Sequence, residues 1–399
     1  MIHTIAVALQ IVAVAGCVSS AIYYFIGCWC AAAFLRSRRA GADSRSIAVL
    51  PPISILKPLK GTDPHIYESF RSHCLQDYPE YEIIFGVSHP LDPAVASVER
   101  LQREFPQRKI RLLVCPEILG PNVKVSNLEQ MARAARYDFF LINDSDIRVE
   151  RDYLRRIIAP FSDNQVGMVT CLYRGIAAAT VGSRLEALGI STDFCAGVLV
   201  AQRLEHGLHF ALGSTLAFRR RDLEQIGGFK ALVDFLADDY ELGRRISGQN
   251  KKVVLSGVVV ETHLPAYDLR EFLDHQLRWF RGIRDARRTG YIGLISTFGI
   301  MWALLALISA RAAPWSWAVL GAMLLLRAGV ALLMGTAVLH DQQTLSQLWL
   351  LPLRDLIAAA VWTVSFAGNT VTWRGDRFQL KNGMLIRLPH KKPQGGETI

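Results

Sequence analysis

Hydrophobic and polar positions divide the chain into three parts. Residues 5–35 carry no charged side chain, a run longer than the ~20 apolar residues that cross a bilayer. Only His3 precedes it, whereas Arg36, Arg38, Arg39 and Arg45 follow. Residues 1–36 therefore read as an uncleaved transmembrane anchor, its amino terminus outside and the following chain in the cytoplasm. From 47 to 290 short apolar runs alternate with amphipathic stretches, the α/β pattern. Strands are expected over 53–59, 82–88, 110–115, 139–146, 166–173, 214–219 and 253–256, and helices over 64–76, 93–105, 124–136, 151–161 and 238–246. The stretch 181–204 mixes apolar residues with Arg184, Asp193 and Arg203, and reads equally as an interfacial helix or as core.

Residues 291–373 are apolar again. Membrane helices are expected over 293–310 and 315–339, with Arg327 in the second facing protein or a polar cavity. A third segment, 345–373, is interrupted by Pro352, Arg354 and Asp355. Its clean run, 356–368, is short enough to be interfacial or re-entrant. The tail, 374–399, is basic (Arg374, Arg377, Lys381, Arg387, Lys391, Lys392). The positive-inside rule keeps it in the cytoplasm, which requires an even number of carboxyl-terminal crossings.

Composition agrees with a globular domain joined to membrane segments, since 51% of residues are hydrophobic. A net charge of +10 suits an anionic membrane surface or phosphorylated substrates. No basic run interleaved with stacking aromatics is present, so nucleic acid is not an expected partner. The seven cysteines are scattered without a Cys-x-x-Cys pair, which points to neither zinc nor disulfides and to a reducing compartment.

The candidate chemistry lies in four acidic or basic clusters. The run 139–142 leads into Asp144-Ser145-Asp146, placing two carboxylates at a strand's carboxyl end, where they can meet a divalent cation and a ribose. Asp92 follows another strand and reads as a nucleotide ligand or as an N-cap ahead of Pro93. Asp238 and Asp239 open a helix, either as a general base for an acceptor hydroxyl or as acids that complement the macrodipole. Arg278, Arg281 and Arg284 form a cationic ridge beside Trp279, suited to a leaving diphosphate or to lipid headgroups. Lys57 and Lys124 suit the same phosphates.

This order of motifs resembles the D, D-x-D, (E/D)D, (Q/R)xxRW series of inverting membrane glycosyltransferases. With residues 56–61, 124–128 and 237–240, nearly the whole chain is similar to glycosyltransferase family 21, the ceramide glucosyltransferases and their bacterial relatives. His275 stands where Gln or Arg is usual, with Gln276 one residue late, and Asp146 where the animal ceramide enzymes carry Gly. With residues 169–174 these departures look closer to the bacterial hopanoid branch, which is linked to N-acetylglucosamine transfer.

The resemblance implies a GT-A fold, a Rossmann-like α/β domain flanked by transmembrane helices, binding a UDP-sugar and a divalent cation, Mg²⁺ or Mn²⁺. Asp92 would hold the uridine, Asp144 and Asp146 would serve ribose and metal, and Lys57, Lys124 and Asn127 would line the donor site. Asp239, beside Asp238, would deprotonate the acceptor. Arg278 would offset the leaving UDP, Trp279 would wall the site, and His275 would touch acceptor or diphosphate. The expected reaction moves N-acetylglucosamine or glucose onto a primary hydroxyl of a membrane lipid, a hopanoid polyol or ceramide, giving a β-glycolipid at a bacterial inner membrane. A processive polysaccharide synthase shares these motifs, but three or four membrane segments are few for a polymer channel. Survival of every acidic position argues against a non-catalytic scaffold.

Overall fold

The computed structural model describes residues 2–42, 50–373 and 375–389. Arg45, the expected domain start at 47, Arg374, Lys391 and Lys392 lie outside the described residues. Strands β1 (Ile53–Leu59), β2 (Tyr81–Val87), β3 (Lys109–Val114), β4 (Phe139–Ile142), β5 (Ile147–Arg148), β6 (Val166–Ile176), β7 (Leu216–Arg219) and β8 (Lys252–His263) form one sheet in the order β3-β2-β1-β4-β7-β6-β8-β5. The first four are parallel, while β7 runs antiparallel to both β4 and β6. Every residue of β1 and β2 is buried, as in strands covered on both faces. The chain leaves β1 for β2 on one side and reaches β4 on the other. The carboxyl ends of β1 and β4 therefore form a topological switch point, where open α/β sheets bind ligands.

Two strand boundaries differ from expectation for physical reasons. The β1–β4 ladder ends at Leu56 and Ile142, so Asn143–Asp146 is loop at the crevice and not strand. Strands β6 and β8 run several residues longer than their apolar cores, through a register shift at Cys171/Leu172. Their outer halves hold Arg174, Glu261 and Thr262, polar residues that conceal a strand from an apolar-run reading.

One face of the sheet carries a core that reaches the long apolar helices. Leu56, Ile84 and Phe140 belong to the same buried cluster as Ala31 and Phe34 of the first helix, Ile2–Ala42, and as Met334 and Val338. Cys195, Val198 and Leu199 join it, so the stretch 181–204 is core packing. This helix contains a π-helical turn at Ile190–Phe194. Among the described residues four helices are long and apolar enough to cross a membrane: Thr4–Arg39, Val181–Leu204, Pro314–Val338 and Gln343–Ser365. A further pair, Arg288–Thr297 and Gly299–Ser309, is bent by 56° where one straight helix was expected. At the bend the Tyr24 hydroxyl donates to the Thr297 carbonyl at 2.9 Å.

Arg327 is buried and faces protein. It donates to both Asp355 oxygens at 2.9 Å, to Thr192 Oγ1 at 3.1 Å and to Asp193 on the π turn. Arg354 joins through Asp193 at 3.7 Å and donates to Gln276 Oε1 at 3.0 Å. Arg354 and Asp355 therefore do not interrupt the third carboxyl-terminal segment, and Pro352 sits at the start of the helix Leu351–Ser365, where its missing N–H is harmless.

The described part of the expected basic tail is folded. Strands β9 (Thr370–Trp373), β10 (Asp376–Lys381) and β11 (Met384–Arg387) form a small antiparallel sheet. It docks on the segment before Asp238: Leu385 N–H donates to the Asp234 carbonyl at 2.6 Å, and Leu236 N–H to the Gly383 carbonyl at 3.1 Å.

Candidate active site

Several elements meet at the carboxyl ends of β1 and β4. Lys57, fully buried in β1, donates from Nζ to the Asp144 carbonyl at 2.9 Å. Burial pushes its ammonium down to about 7, although Asp146, Asp144 and Asp63 pull the other way. Asn143 pins the end of β4 by donating to the Ser214 carbonyl at 2.7 Å and to the Tyr153 hydroxyl at 2.9 Å. That tie brings Gly213 between two acids from distant parts of the chain. A Cβ on Gly213 would stand 3.0 Å from Asp239 Oδ2 and 3.3 Å from Asp144 Oδ2.

Lys124 comes from the first turn of the helix Val123–Ala134, which Asn122 caps. Its Nζ lies 2.8 Å from Asp144 Oδ1 and 3.4 Å from Asp238 Oδ2. Burial disfavours the charge, yet Asp144 and Asp238 hold this ammonium well above its ordinary value. Asp238 and Asp239 open the helix Asp238–Ser247, where the macrodipole favours carboxylates. Asp238 is buried and receives Asn122 Nδ2 at 3.4 Å besides Lys124. Asp239 accepts from the Tyr240 N–H at 2.8 Å. Burial and then the charge of Asp238 push its carboxyl up to about 6, against the opposing pull of Lys124.

Asp146 completes the set. Burial, with Asp144 adding to it, pushes its carboxyl up to about 6 although Thr262 Oγ1 donates to Oδ2. Between the two acids Ser145 donates to Asp63, which the sequence reading missed. The signal available for Asp63 was its place directly after a strand and the turn glycine Gly61, whose φ is 73°. No group of three or more His, Cys, Asp or Glu among the described residues is arranged to hold a metal alone. Asp144 and Asp146 fit the other arrangement, in which one or two carboxylates share a cation with a diphosphate.

Asp92 sits one step away. Its Oδ1 accepts from the Gly61 N–H at 3.0 Å and the Ala94 N–H at 2.9 Å, so it fixes the loop that carries Asp63. Asn127 is buried behind the site and accepts from Ser88 Oγ at 3.1 Å. A cavity of about 530 Å³ lies beside the start of the helix Asp238–Ser247, lined by Ala237 and Tyr240, but Asp144, Asp146, Asp238 and Asp239 are not among its lining residues.

The helix Leu269–Ala286, started by a capping box of Asp268 and Glu271, carries His275, Arg278 and Trp279. An arc of rings joins it to the acids: Tyr173 to Phe194 at 5.1 Å, Phe194 to Trp279 at 6.2 Å, Trp279 to His275 at 5.3 Å and His275 to Tyr267 at 5.4 Å between centroids. Burial and the charges of Asp239, Glu186, Asp144 and Asp146 push the Tyr173 phenol well up. Burial and the charge of Glu186 push Tyr267 up to about 12, with Asp146 adding and Arg278 opposing. The cationic ridge divides, for Arg281 donates to the Thr370 carbonyl and Arg284 to the Ser365 carbonyl.

The chain is 27% identical over 245 residues to ceramide glucosyltransferase 3 of Caenorhabditis elegans, covering 58% of this chain and 50% of that protein. It is 36% identical over 124 residues to the ceramide glucosyltransferase of Komagataella phaffii, covering 29% and 24%. The chain thus spans about half or less of the length of these relatives. Among solved structures, the mannosyltransferase PcManGT from Pyrobaculum calidifontis, in complex with GDP-Man and Mn²⁺, aligns over 90% of this chain and 98% of its own at a TM-score of 0.51 and 18% identity. That likeness shows the GT-A fold. The glycosyl transferase family 21 model matches residues 12–386, and the chain belongs to that family.

Proposed function

We propose that the protein transfers a hexosyl unit, N-acetylglucosamine or glucose, from a UDP-sugar to a primary hydroxyl of a membrane lipid, with inversion. The observation that carries this reading is the convergence of Asp144 and Asp239 on Gly213, with Lys57 and Lys124 alongside. Lys124 and Arg278 would bring positive charge to a diphosphate, with Lys57 buried beneath them holding the Asp144 carbonyl, and Asp92 with its loop would face the nucleoside. Asp144 and Asp146 would hold Mg²⁺ or Mn²⁺, which when bound offsets charge on the leaving diphosphate.

Asp239 is the base in this account. It lacks the direct ion pair that engages Asp238, and its raised pKa suits proton transfer near neutrality. The acceptor oxygen attacks the anomeric carbon and its proton passes to Asp239. The bond from that carbon to the diphosphate oxygen breaks, its electron pair leaving with UDP. One displacement turns an α-linked donor into a β-linked lipid.

The same reading sets the protein in the membrane. The segment Gln343–Ser365 begins against β6, where Gln343 Oε1 accepts from the Ala177 N–H at 3.0 Å, and ends where Arg284 holds Ser365. Both ends thus lie on the catalytic domain. Leu345, Trp349, Leu353 and Leu356 form an exposed apolar stripe between them. We place this segment along the cytoplasmic bilayer surface and leave two carboxyl-terminal crossings, the bent pair and Pro314–Val338. Arg38 and Arg174 cap the inner end of the latter by donating to the Val338 and Leu339 carbonyls, each at 3.0 Å.

Feeding radiolabelled UDP-sugar to membranes holding the protein tests the reaction class. Label is expected in a chloroform-extractable glycolipid; label in an insoluble polymer, or in neither, would overturn it.

A further inference from the structure

Glu186 has no role in the account so far, and its position is costly. It lies on the apolar helix Val181–Gly189 with 1% of its surface exposed. A carboxylate there loses its hydration and persists only when specific partners replace it. Its partners are both on the helix of the Arg278-Trp279 motif. Glu186 Oε1 stands 3.2 Å from His275 Nδ1, and Gln276 Nε2 donates to Oε2 at 2.7 Å. If Glu186 served only to anchor Gln276, a neutral amide would do so at lower cost.

His275 is held on every other side as well. Tyr267 stacks on its ring at an interplanar angle of 24°, and Trp279 packs at 48°. Gln276 is fixed in turn by Arg354, which ties this turn of the helix into the buried ion network of Arg327, Asp193 and Asp355. Nδ1 stands at ion-pair distance from Glu186 but makes no hydrogen bond among the described residues, so the contact is one of charge and leaves Nε2 for a ligand, with 19% of the side chain exposed. Tyr173, at the far end of the arc, packs against Ala187 beside Glu186 and lies two residues before Gly175, the β6 partner of the Thr262 that donates to Asp146, so the pair borders the acid cleft.

We propose that Glu186 is a positioning residue for the acceptor: it orients His275 so that the imidazole edge, between Tyr267 and Trp279, hydrogen-bonds the hydroxylated head of the lipid. The ligand class is a polyhydroxylated or amide-bearing lipid head, since flat rings and one imidazole edge match alternating C–H and O–H surface. This rests on the functional reading above.

The test uses full-length protein in nanodiscs, as wild type, Glu186→Gln, His275→Ala and the double variant. Initial rates are read against ceramide or bacteriohopanetetrol, whichever the wild type glycosylates, at saturating UDP-sugar, with UDP affinity measured by calorimetry. Glu186→Gln is expected to raise the acceptor KM about tenfold with little change in kcat and unchanged UDP affinity, a fold-change equal to ~1.4 kcal/mol. The double variant should be no worse than His275→Ala, because the two residues act as one unit. An unchanged acceptor KM in Glu186→Gln, or losses that multiply in the double variant, would overturn the proposal. Should Glu186→Gln fail to bind UDP, Glu186→Asp keeps the buried charge but withdraws it from the imidazole, and an unchanged KM there overturns the proposal equally. A wild type that binds UDP yet glycosylates no lipid overturns the functional reading itself, and the acceptor role with it.

Discussion

Replacing Asp239 by Asn should make the protein more stable and inactive at once. Asp239 lies beside Asp238 and shares the Gly213 wall with Asp144, and its carboxyl rises from an ordinary 3.8 to about 6. Folding therefore raises the pKa of an acid, so the ionised form is disfavoured in the folded state. The sign follows: between the two pKa values the folded state binds more protons than the unfolded one, and stability falls as pH rises through this window. At neutral pH the full cost is present. Two units correspond to about 3 kcal/mol, reduced by water in the cleft to about 1–3 kcal/mol. Asn removes the charge and retains an oxygen for the Tyr240 N–H. Thermal unfolding of Asp239→Asn should occur several degrees above wild type at pH 7.5, with the gain shrinking towards zero near pH 4. UDP release on adding lipid should vanish, and in the wild type it should decline as pH drops below about 6. A variant that stays active, or that melts lower than wild type at pH 7.5, would refute the assignment.

Other substitutions probe separate parts of the geometry. Gly213→Ala pushes a methyl between Asp239 and Asp144 and should lower turnover ~10-fold or more while UDP affinity changes less, measured by initial rates and calorimetry. Lys124→Met leaves Asp144 and Asp238 without their shared cation, so the acid limb of the pH–rate profile should move up by about one unit. Asp355→Ala leaves the buried Arg327 with Asp193 as its remaining carboxylate partner and should cost up to about 3–5 kcal/mol, read as loss of monodisperse protein in detergent; Arg327→Leu with Asp355→Leu should recover most of it. Truncation before Thr370 frees the Asp234–Leu236 segment and should depress turnover with nucleotide binding largely kept.

The sequence is most legible where one physical signal dominates. A continuous apolar run marks β4, and a mainly apolar one broken by Ser54 and Lys57 marks β1, because the sheet is covered there; the two acids after β4 fall at the switch point such strands create. Arg327 could be expected to face protein because lipid cannot hydrate it, but its partners come from a π turn and a distant helix, which periodicity does not encode. Glu186 is concealed within the stretch 181–204, although an acid among apolar residues is itself a signal. The clamp of the carboxyl-terminal sheet was hidden because its strands are short and polar outside, with Phe378, Leu380 and Leu385 as their buried residues. Arg281 and Arg284 read as a headgroup ridge from spacing alone, whereas tertiary contacts direct them to carbonyls of the same chain.

The most direct measurement is mass spectrometry of lipid incubated with purified protein and UDP-glucose or UDP-N-acetylglucosamine. The account predicts ceramide or bacteriohopanetetrol heavier by one hexosyl unit with the wild type, and unmodified lipid with Asp239→Asn. Lipid left unmodified by a wild type that binds UDP, or modified equally by both proteins, would contradict it.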